Sequence, residues 1–380
     1  MAPIRVLIVD DSVVIRKIVA EGLKTDLDIE VAGTAADGSI ALAKIPLLNP
    51  DLITLDIEMP VMTGLQTLVE IRKLYPKLPV IMFSTLTERG AAITLDALAL
   101  GASDYATKPS NTASLEVTRE RILQELAPKI KGLCNRWRSK EDSAKSSFAN
   151  KSLPPALRKM PAIPPSGRVD VVAIGASTGG PNALSTVLPQ IAKDFPVPIV
   201  IVQHMPPLFT RMLAERLQKQ CAIRVQEGVA GESLKAGEAW IAPGAFHMKV
   251  TGDREAVKLE MSQEAPENAC RPAVDVLFRS IASVYGANAL AVVLTGMGSD
   301  GVRGAQLLKK VGAEVLVQDE ASSVVWGMPG QVAAAGYADA IYPLESIAGQ
   351  VERRVKRMRA RDEKQEWPQR LQPQEVKSRA

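Results

Sequence analysis

One stretch decides the fold, Val169-Asp170-Val171-Val172-Ala173-Ile174-Gly175-Ala176-Ser177-Thr178-Gly179-Gly180-Pro181, in which an apolar run leads into a glycine-rich turn. The β-branched run from Val169 to Ile174, interrupted only by Asp170, predicts a buried strand. Pro181 and the residues after it predict a helix with proline near its start. Ser177 is then expected at the carboxyl end of a strand, beside a helix N-terminus whose backbone N–H groups can receive negative charge. Ser177 is therefore the candidate nucleophile.

Length and cysteine usage limit the class of protein. The 380 residues are enough for two domains. The three cysteines, Cys134, Cys221 and Cys270, show no zinc or disulfide spacing, which predicts a reducing, cytoplasmic location. No apolar run approaches the ~20 residues that span a bilayer. The chain also enters a strand within a few residues of its start, so we expect neither an integral membrane protein nor a signal peptide.

The net charge of +4 is unevenly distributed along the chain. Residues 351–380 hold ten Lys and Arg against five Asp and Glu, residues 134–168 hold eight against two, and the remainder is net negative. Mildly acidic domains argue against a nucleic-acid-binding face. Residues 349–380 are predicted to be a solvated basic tail, and contact with an acidic partner or anionic lipid is the alternative.

Residues 1–125 are predicted to form the first domain. Five apolar runs predict strands, namely Ile4 to Val9, Ile29 to Ala32, Leu52 to Leu55, Val80 to Phe83 and Tyr105 to Thr107. Helical patterns separate these runs, which indicates an α/β fold with a doubly wound parallel sheet.

Polar side chains lie at the ends of four of these strands. They are Asp10, Asp11, Asp56, Ser84 and Lys108. Ligand sites in doubly wound sheets lie outside the carboxyl ends of the strands. Three carboxylates there favour Mg²⁺, and a carboxylate can accept a phosphoryl group as an acyl phosphate. Single Asp residues at strand ends are more often turn or N-cap residues, which is the alternative for each one alone.

Over its full length this domain resembles the flavodoxin-like response-regulator receiver family. The matching pieces are Asp10-Asp11-Ser12, Leu55-Asp56-Ile57-Glu58-Met59-Pro60 with Gly64, Ser84 and Lys108-Pro109. The resemblance implies Asp56 as the phospho-acceptor and a histidine kinase as the phosphodonor. It also implies that Asp10, Asp11 and Asp56 hold Mg²⁺, and that Ser84, Tyr105 and Lys108 act as switch residues.

A joint follows the first domain. A helix is predicted from Ser114 to about Leu133, and residues 126–167 as a whole are assigned to a flexible linker. The Pro-, Ser- and Lys-rich composition of this segment cannot bury a core.

Residues 168–348 are predicted to form a second, Rossmann-like doubly wound parallel sheet. Its buried strands end at Ser177, His204 and Asp300, which should converge on one edge of the sheet. The runs Glu238 to Gly244 and Phe246 to Val250 predict a β-hairpin inserted on the main sheet.

These three residue types fit a catalytic triad. His204 would remove the Ser177 proton during attack on a carbonyl, and Asp300 would fix the imidazole tautomer. Backbone N–H groups of the glycine-rich turns would hold the oxyanion. His247, inside a strand-like run, is a minor candidate for the base. The Gly175-Ala176-Ser177-Thr178-Gly179 stretch matches a nucleophile elbow, but the order Ser, His, Asp differs from that of α/β-hydrolases.

The second domain resembles the chemotaxis protein-glutamate methylesterase (CheB) family, and with the receiver the resemblance covers residues 3 to 350. Further matching pieces are Val202-Gln203-His204-Met205-Pro206, Ala242-Pro243-Gly244, Arg271-Pro272-Ala273-Val274-Asp275, Leu294-Thr295-Gly296-Met297-Gly298-Ser299-Asp300-Gly301 and Trp326-Gly327-Met328-Pro329. The resemblance implies the triad Ser177, His204 and Asp300, with Thr178 and the Met297 amide near the oxyanion.

The resemblance also implies an activity and its control. It implies hydrolysis of glutamate γ-methyl esters, and deamidation of glutamines, on methyl-accepting chemotaxis receptors. No cofactor is expected for the esterase chemistry, and the unphosphorylated receiver is expected to cover Ser177. Trp326 stands where a tyrosine is common in the family.

Two alternatives remain open at this stage. In the first, the chain is a non-enzymatic effector whose Gly175–Gly180 turn binds a nucleotide phosphate. The turn is not G-x-G-x-x-G, and no acidic residue closes the second strand to hold a ribose. In the second, the same enzyme serves methylated receptors outside chemotaxis.

Overall fold

The structure is a computed structural model that describes residues 2–108, 115–145, 168–253 and 256–366. Pro109 of the Lys108-Pro109 pair, linker residues 146–167 and tail residues 367–380 lie outside the described residues. Within the described ranges, no helix combines the length and the apolar character that crossing a bilayer requires.

The first part of the chain forms a parallel sheet in the order β2-β1-β3-β4-β5. The strands are β1 Ile4–Val9, β2 Ile29–Ala35, β3 Leu52–Asp56, β4 Val80–Ser84 and β5 Asp104–Thr107. The helices are α1 Val13–Leu23, α2 Gly38–Leu48, α3 Gly64–Leu74, α4 Glu88–Ala99 and α5 Leu115–Lys145. The predicted doubly wound architecture is confirmed, and the polar residues at the strand ends meet at one edge.

Helix α5 runs through the predicted boundary at residue 125 and continues to Lys145. Its residues Ile122, Leu126, Ile130 and Leu133 are buried at helical spacing, and the helix packs against α1. This apolar stripe stabilises the helix because it buries one face against the domain. The helix predicted to about Leu133 is confirmed from Leu115 onward, but it continues to Lys145, so residues 126–145 are helical rather than flexible linker.

The second part forms a parallel sheet in the order β14-β13-β12-β6-β7-β9-β8. The strands of this part are β6 Val171–Ala176, β7 Ile199–Gln203, β8 Arg224–Glu227, β9 Glu238–Ile241, β10 His247–Thr251, β11 Lys258–Ser262, β12 Ala289–Val293, β13 Glu314–Gln318 and β14 Ala340–Tyr342. The helices are α6 Gly180–Val187, α7 Phe209–Gln218, α8 Val274–Tyr285, α9 Val302–Lys310, α10 Met328–Ala334 and α11 Leu344–Glu366. The second doubly wound sheet is confirmed.

The predicted β-hairpin is wrong. Strand β9 joins the main sheet between β7 and β8, whereas β10 pairs antiparallel with β11 in a separate ribbon. The chain turns away after β9 because Gly244 lies against the backbone of Pro206 and Pro207, and Ala245 takes a left-handed φ of 65°. A pattern of apolar alternation cannot distinguish these two pairings.

Helix α11 crosses the predicted boundary between residues 348 and 349. Its buried residues Ile347, Val351 and Val355 belong to an apolar cluster, and the helix packs against α6. The first residues assigned to the basic tail are thus part of the folded domain.

Candidate active site

The loop after β12 holds the Ser177 turn in place. The Ser177 N–H donates to the Thr295 carbonyl at 3.0 Å, and the His204 N–H donates to the Ala176 carbonyl at 3.1 Å. Gly296 allows this close approach, since a Cβ there would lie 2.8 Å from the Ser177 Cβ. Gly179 takes a φ of 78° at the start of α6, which a residue with a side chain adopts only with strain. The strand ends that carry Ser177 and His204 are thus adjacent.

His204 and Asp300 form a direct pair. Nε2 of His204 lies 2.8 Å from Oδ2 of Asp300, and Asp300 is 2% exposed. The Asp300 carboxylate also accepts hydrogen bonds from the backbone N–H groups of Val274 at 2.6 Å and Asp275 at 3.0 Å. These donors begin α8, where the helix dipole favours a negative charge. The predicted histidine and carboxylate are therefore brought together.

The pair shifts both pKa values. Burial lowers the pKa of His204, but the hydrogen bonds to Asp300 and Cys270 outweigh it, so the net pKa is raised above the usual imidazole value. Burial raises the pKa of Asp300, but the hydrogen bond from His204 outweighs it, and the net pKa is lowered. Both shifts favour an imidazolium beside a carboxylate, which is the state that forms when His204 accepts a proton.

Ser177 shares a cavity with His204 but is not bonded to it. Both line a cavity of about 640 Å³. In the part of the chain that the structure describes, the Ser177 hydroxyl makes no hydrogen bond to His204, and Nδ1 of His204 is hydrogen-bonded to Sγ of Cys270 at 3.5 Å. His204 and Asp300 are thus paired in this structure, whereas the Ser177 hydroxyl lies in the same cavity without a hydrogen bond to His204.

The first domain closes the other side of this cavity. Its lining residues from that domain are Tyr105, Thr107, Gln124, Glu125, Pro128 and Lys129. Tyr105 stacks on Phe209 of α7 with ring centroids 5.0 Å apart. Asn182 of α6 donates to the Leu98 carbonyl at 2.7 Å, and Arg211 and Arg216 form ion pairs with Glu88 and Asp96. The domains are thus in contact around Ser177.

The two predicted oxyanion residues also meet the first domain. The Thr178 hydroxyl donates to Oδ2 of Asp104 at 2.8 Å, and both residues are buried. Met297 lines the cavity and packs against the cluster that contains α5, close enough that a Cβ at Gly132 would lie 2.7 Å from its methyl carbon. Thr178 is therefore occupied by a carboxylate of the neighbouring domain.

The predicted phosphorylation site is assembled at the edge of the first sheet. Asp10, Asp11 and Asp56 have ligand oxygens within 4.8 Å of one another. Nζ of Lys108 lies 2.8 Å from Asp10 and 2.8 Å from Oδ1 of Asp56. Oδ2 of Asp56 is buried and, among the described residues, accepts no hydrogen bond. This hard oxygen set fits Mg²⁺ and leaves one Asp56 oxygen available.

Burial perturbs the pKa of the central carboxylate at this edge. Burial raises the pKa of Asp56 to about 6, and the charge of Asp10 adds to this while the hydrogen bond from Lys108 opposes it. The Ser84 hydroxyl is used elsewhere, since it donates to the carbonyls of Gly90 and Thr85, both at 3.2 Å. Ser84, which is predicted to be a switch residue, is thus bound to the start of α4 in this structure.

Sequence reasoning missed three residues around the site. Asp104 binds Thr178, Cys270 contacts His204, and Asn268 donates to Asp300. Each lies in a loop or at a strand start, where no periodic pattern indicates a partner. His247 remains a structural histidine, since Nε2 binds the Ala265 carbonyl and Nδ1 accepts from the Ala273 N–H.

Comparison with known proteins identifies the family. Residues 172–351 match the family model for CheB methylesterase, and residues 6–119 match the response regulator receiver domain. A protein-glutamate methylesterase/protein-glutamine glutaminase of Trichodesmium erythraeum is 52% identical over 359 residues, which cover 93% of this chain and 100% of that protein. This chain belongs to the CheB methylesterase family. It is an enzyme of the chemotaxis CheB type with a receiver domain.

A second relative and one solved structure are also similar to this chain. A protein-glutamate methylesterase/protein-glutamine glutaminase of Nocardioides sp. is 50% identical and covers 94% of this chain and 97% of that protein. The crystal structure of the Thermotoga maritima CheB methylesterase catalytic domain is 41% identical, with a TM-score of 0.48, and covers 48% of this chain and 97% of that chain. The receiver match implies Mg²⁺-dependent phosphorylation by a histidine kinase.

Proposed function

We propose that the chain is a phosphorylation-gated serine esterase. Its substrates are glutamate γ-methyl esters on methyl-accepting chemotaxis receptors, and it deamidates receptor glutamines at the same site. The observation that carries the proposal is the pairing of His204 with the buried Asp300 on a cavity that also contains Ser177. The names of its relatives support the two substrate types.

The chemistry follows from the tautomer of His204. The Nε2–H group of His204 donates a hydrogen bond to Asp300 and keeps its proton. The Nδ1 lone pair is then the one that accepts the Ser177 proton during attack on the ester carbonyl. The imidazolium then protonates the departing methoxide oxygen, which leaves as methanol, or the departing amide nitrogen of a glutamine, which leaves as ammonia. A water molecule, deprotonated by the same nitrogen, releases the glutamate from Ser177. Thr178 and the Met297 amide stabilise the oxyanion in this scheme.

Gating follows from the contact between the domains. A histidine kinase phosphorylates Asp56, with Asp10 and Asp11 completing the Mg²⁺ site and Lys108 holding a phosphoryl oxygen. Ser84 and Tyr105 then rearrange, and the contact with the esterase domain loosens. Uncovering frees Thr178 and lets Ser177 replace Cys270 at Nδ1 of His204.

The experiment is methanol release from methylated receptor membranes, with and without a phosphodonor. We expect release to rise with the phosphodonor in the wild type and to be abolished in Ser177→Ala. Ser346→Ala is the matched control, because Ser346 lies on α11 and does not line the cavity. Methanol release by Ser177→Ala at the wild-type rate would refute the proposal.

A further inference from the structure

Asp300 is bound by one further side chain besides His204. In the ranges that the structure describes, its Oδ1 accepts from the backbone N–H groups of Asp275 and Gly301 at 3.0 Å and from Nδ2 of Asn268 at 2.9 Å. Oδ2 is used by His204 and the Val274 N–H. Asn268 therefore binds the carboxylate oxygen of Asp300 that His204 does not contact.

The same amide nitrogen binds a second carboxylate. Nδ2 of Asn268 donates to Oδ2 of Asp275 at 2.9 Å, and Asp275 is 1% exposed. The buried carboxylates of Asp275 and Asp300, which share this nitrogen, repel each other. Burial, together with the charge of Asp300, raises the pKa of Asp275. An amide offers one N–H to each carboxylate without adding a positive charge that would compete with His204. Asn268 is suited to hold both in place.

A tight turn presents this amide. The backbone N–H groups and carbonyls of Glu267 and Cys270 bond each other at 3.1 and 2.9 Å, which closes a two-residue turn. Both central residues are left-handed, with φ of 52° at Asn268 and 61° at Ala269. Asparagine tolerates this conformation well, and such turns favour it. The Glu267–Arg279 ion pair at 2.7 Å ties the turn to α8.

The turn lies between two cavities. Cys270 and Ala269 line the 640 Å³ cavity that contains Ser177, and Asn268 and Asp275 line a second cavity of about 390 Å³. Asn268 is itself exposed, so its hydrogen bonds rather than apolar packing hold it against Asp300. We propose that Asn268 is a positioning residue for the esterase reaction, acting through Asp300 on the orientation and basicity of His204. The inference rests on the proposed function.

The test compares kcat and KM for methanol release in the full-length, phosphorylated protein. Asn268→Gly deletes the amide but keeps the left-handed backbone, and Asn268→Asp keeps the shape but adds a third carboxylate. We expect kcat to fall about 10-fold in Asn268→Gly and further in Asn268→Asp, with KM unchanged. Asn288→Ala is the matched control, since Asn288 donates to Asp170 at 2.8 Å where β6 and β12 begin. Its kcat should be unchanged.

Two further readouts separate positioning from a purely structural role. The acidic limb of the pH profile of kcat/KM should move to higher pH in Asn268→Gly, because Asp300 then holds the imidazolium more strongly. Adding Asp275→Asn to Asn268→Gly should restore part of kcat, because the repulsion is removed.

The inference is overturned if kcat of Asn268→Gly stays within twofold of Asn288→Ala, or if the loss lies in KM alone. Asp300→Asn is measured in parallel. Full activity of Asp300→Asn would refute the proposed function. Loss of activity there, with Asn268→Gly unaffected, would refute only the role of Asn268.

Discussion

The buried hydrogen bond between Thr178 and Asp104 should contribute more than any other single contact to holding the first domain over the active site. We expect Asp104→Asn to raise methanol release in the absence of a phosphodonor. The bond is 2.8 Å long, both residues are 4% exposed, and the acceptor is charged. Such a bond contributes about 1.5 to 3 kcal/mol, which is about 10- to 150-fold in an equilibrium constant. As long as only a small fraction of the molecules have an uncovered active site, methanol release rises in proportion to that fraction.

We expect about a 10-fold increase, the lower end of this range, because the new amide keeps part of the contact. Oδ1 of Asp104 accepts from the Tyr105 N–H at 2.8 Å, and asparagine preserves this bond. The change therefore removes mainly the charge that faces Thr178 and Lys129, whose Nζ lies 3.3 Å away.

An exposed ion pair of the same interface provides the control. Asp96 and Arg216 pair at 2.5 Å, but their side chains are 56% and 28% exposed. Exposed pairs contribute about 0 to 1 kcal/mol, so Asp96→Asn should raise activity by less than about 5-fold. Methanol release is measured for both variants without a phosphodonor, and with one as a check that the esterase site is intact. Equal activities of Asp104→Asn and Asp96→Asn without phosphodonor would refute the reasoning.

Three further outcomes follow from the site. Asp300→Asn should lower kcat by ~10⁴-fold through loss of tautomer control, and a variant within tenfold of the wild type would exclude Asp300 from the triad. Because the pKa of His204 is raised, kcat/KM should increase with pH through a limb above ~6.5, and a limb below 6 would contradict this. The lowered pKa of Asp300 stabilises the fold above about pH 4 and the raised pKa of His204 stabilises it below ~6.5. The Tm of the wild type should therefore exceed that of Asp300→Asn by most between these two pH values. A Tm difference that grows above about pH 6.5 would contradict the interaction between His204 and Asp300.

The strand ends were the predictable part of this molecule. Apolar runs fix where β6, β7 and β12 end, and parallel winding brings Ser177, His204 and Asp300 to one edge. Side-chain contacts between loops leave no such pattern. Asp104 and Thr178 are 74 residues apart in the chain, and the turn at Asn268 is recognisable only once its carboxylate partners are in place.

Helix α5 and strand β10 show the two limits of pattern reasoning. For α5 the helix was predicted only to about Leu133, because the charged composition that follows indicated a linker where the helix continues to Lys145. For β10, alternation indicated a strand but not its partner, because pairing depends on the direction of the turn at Pro243-Gly244. Local signals thus predict elements better than they predict contacts between them.

The interface energies indicate how phosphorylation can act. Shifting a two-state equilibrium from 1:99 to 99:1 requires about 5.5 kcal/mol. The Asp104 bond contributes at most about 3 kcal/mol, the Tyr105–Phe209 stack about 0.5 to 1.5 and each exposed ion pair at most about 1. No single contact reaches the required value, so in the proposed gating phosphorylation would have to disturb several contacts together. Helix α4 carries Glu88 and Asp96, its start holds the Ser84 hydroxyl, and β5 carries both Asp104 and Tyr105. A movement of Ser84 and Tyr105 toward Asp56 would therefore disturb all of these contacts at once.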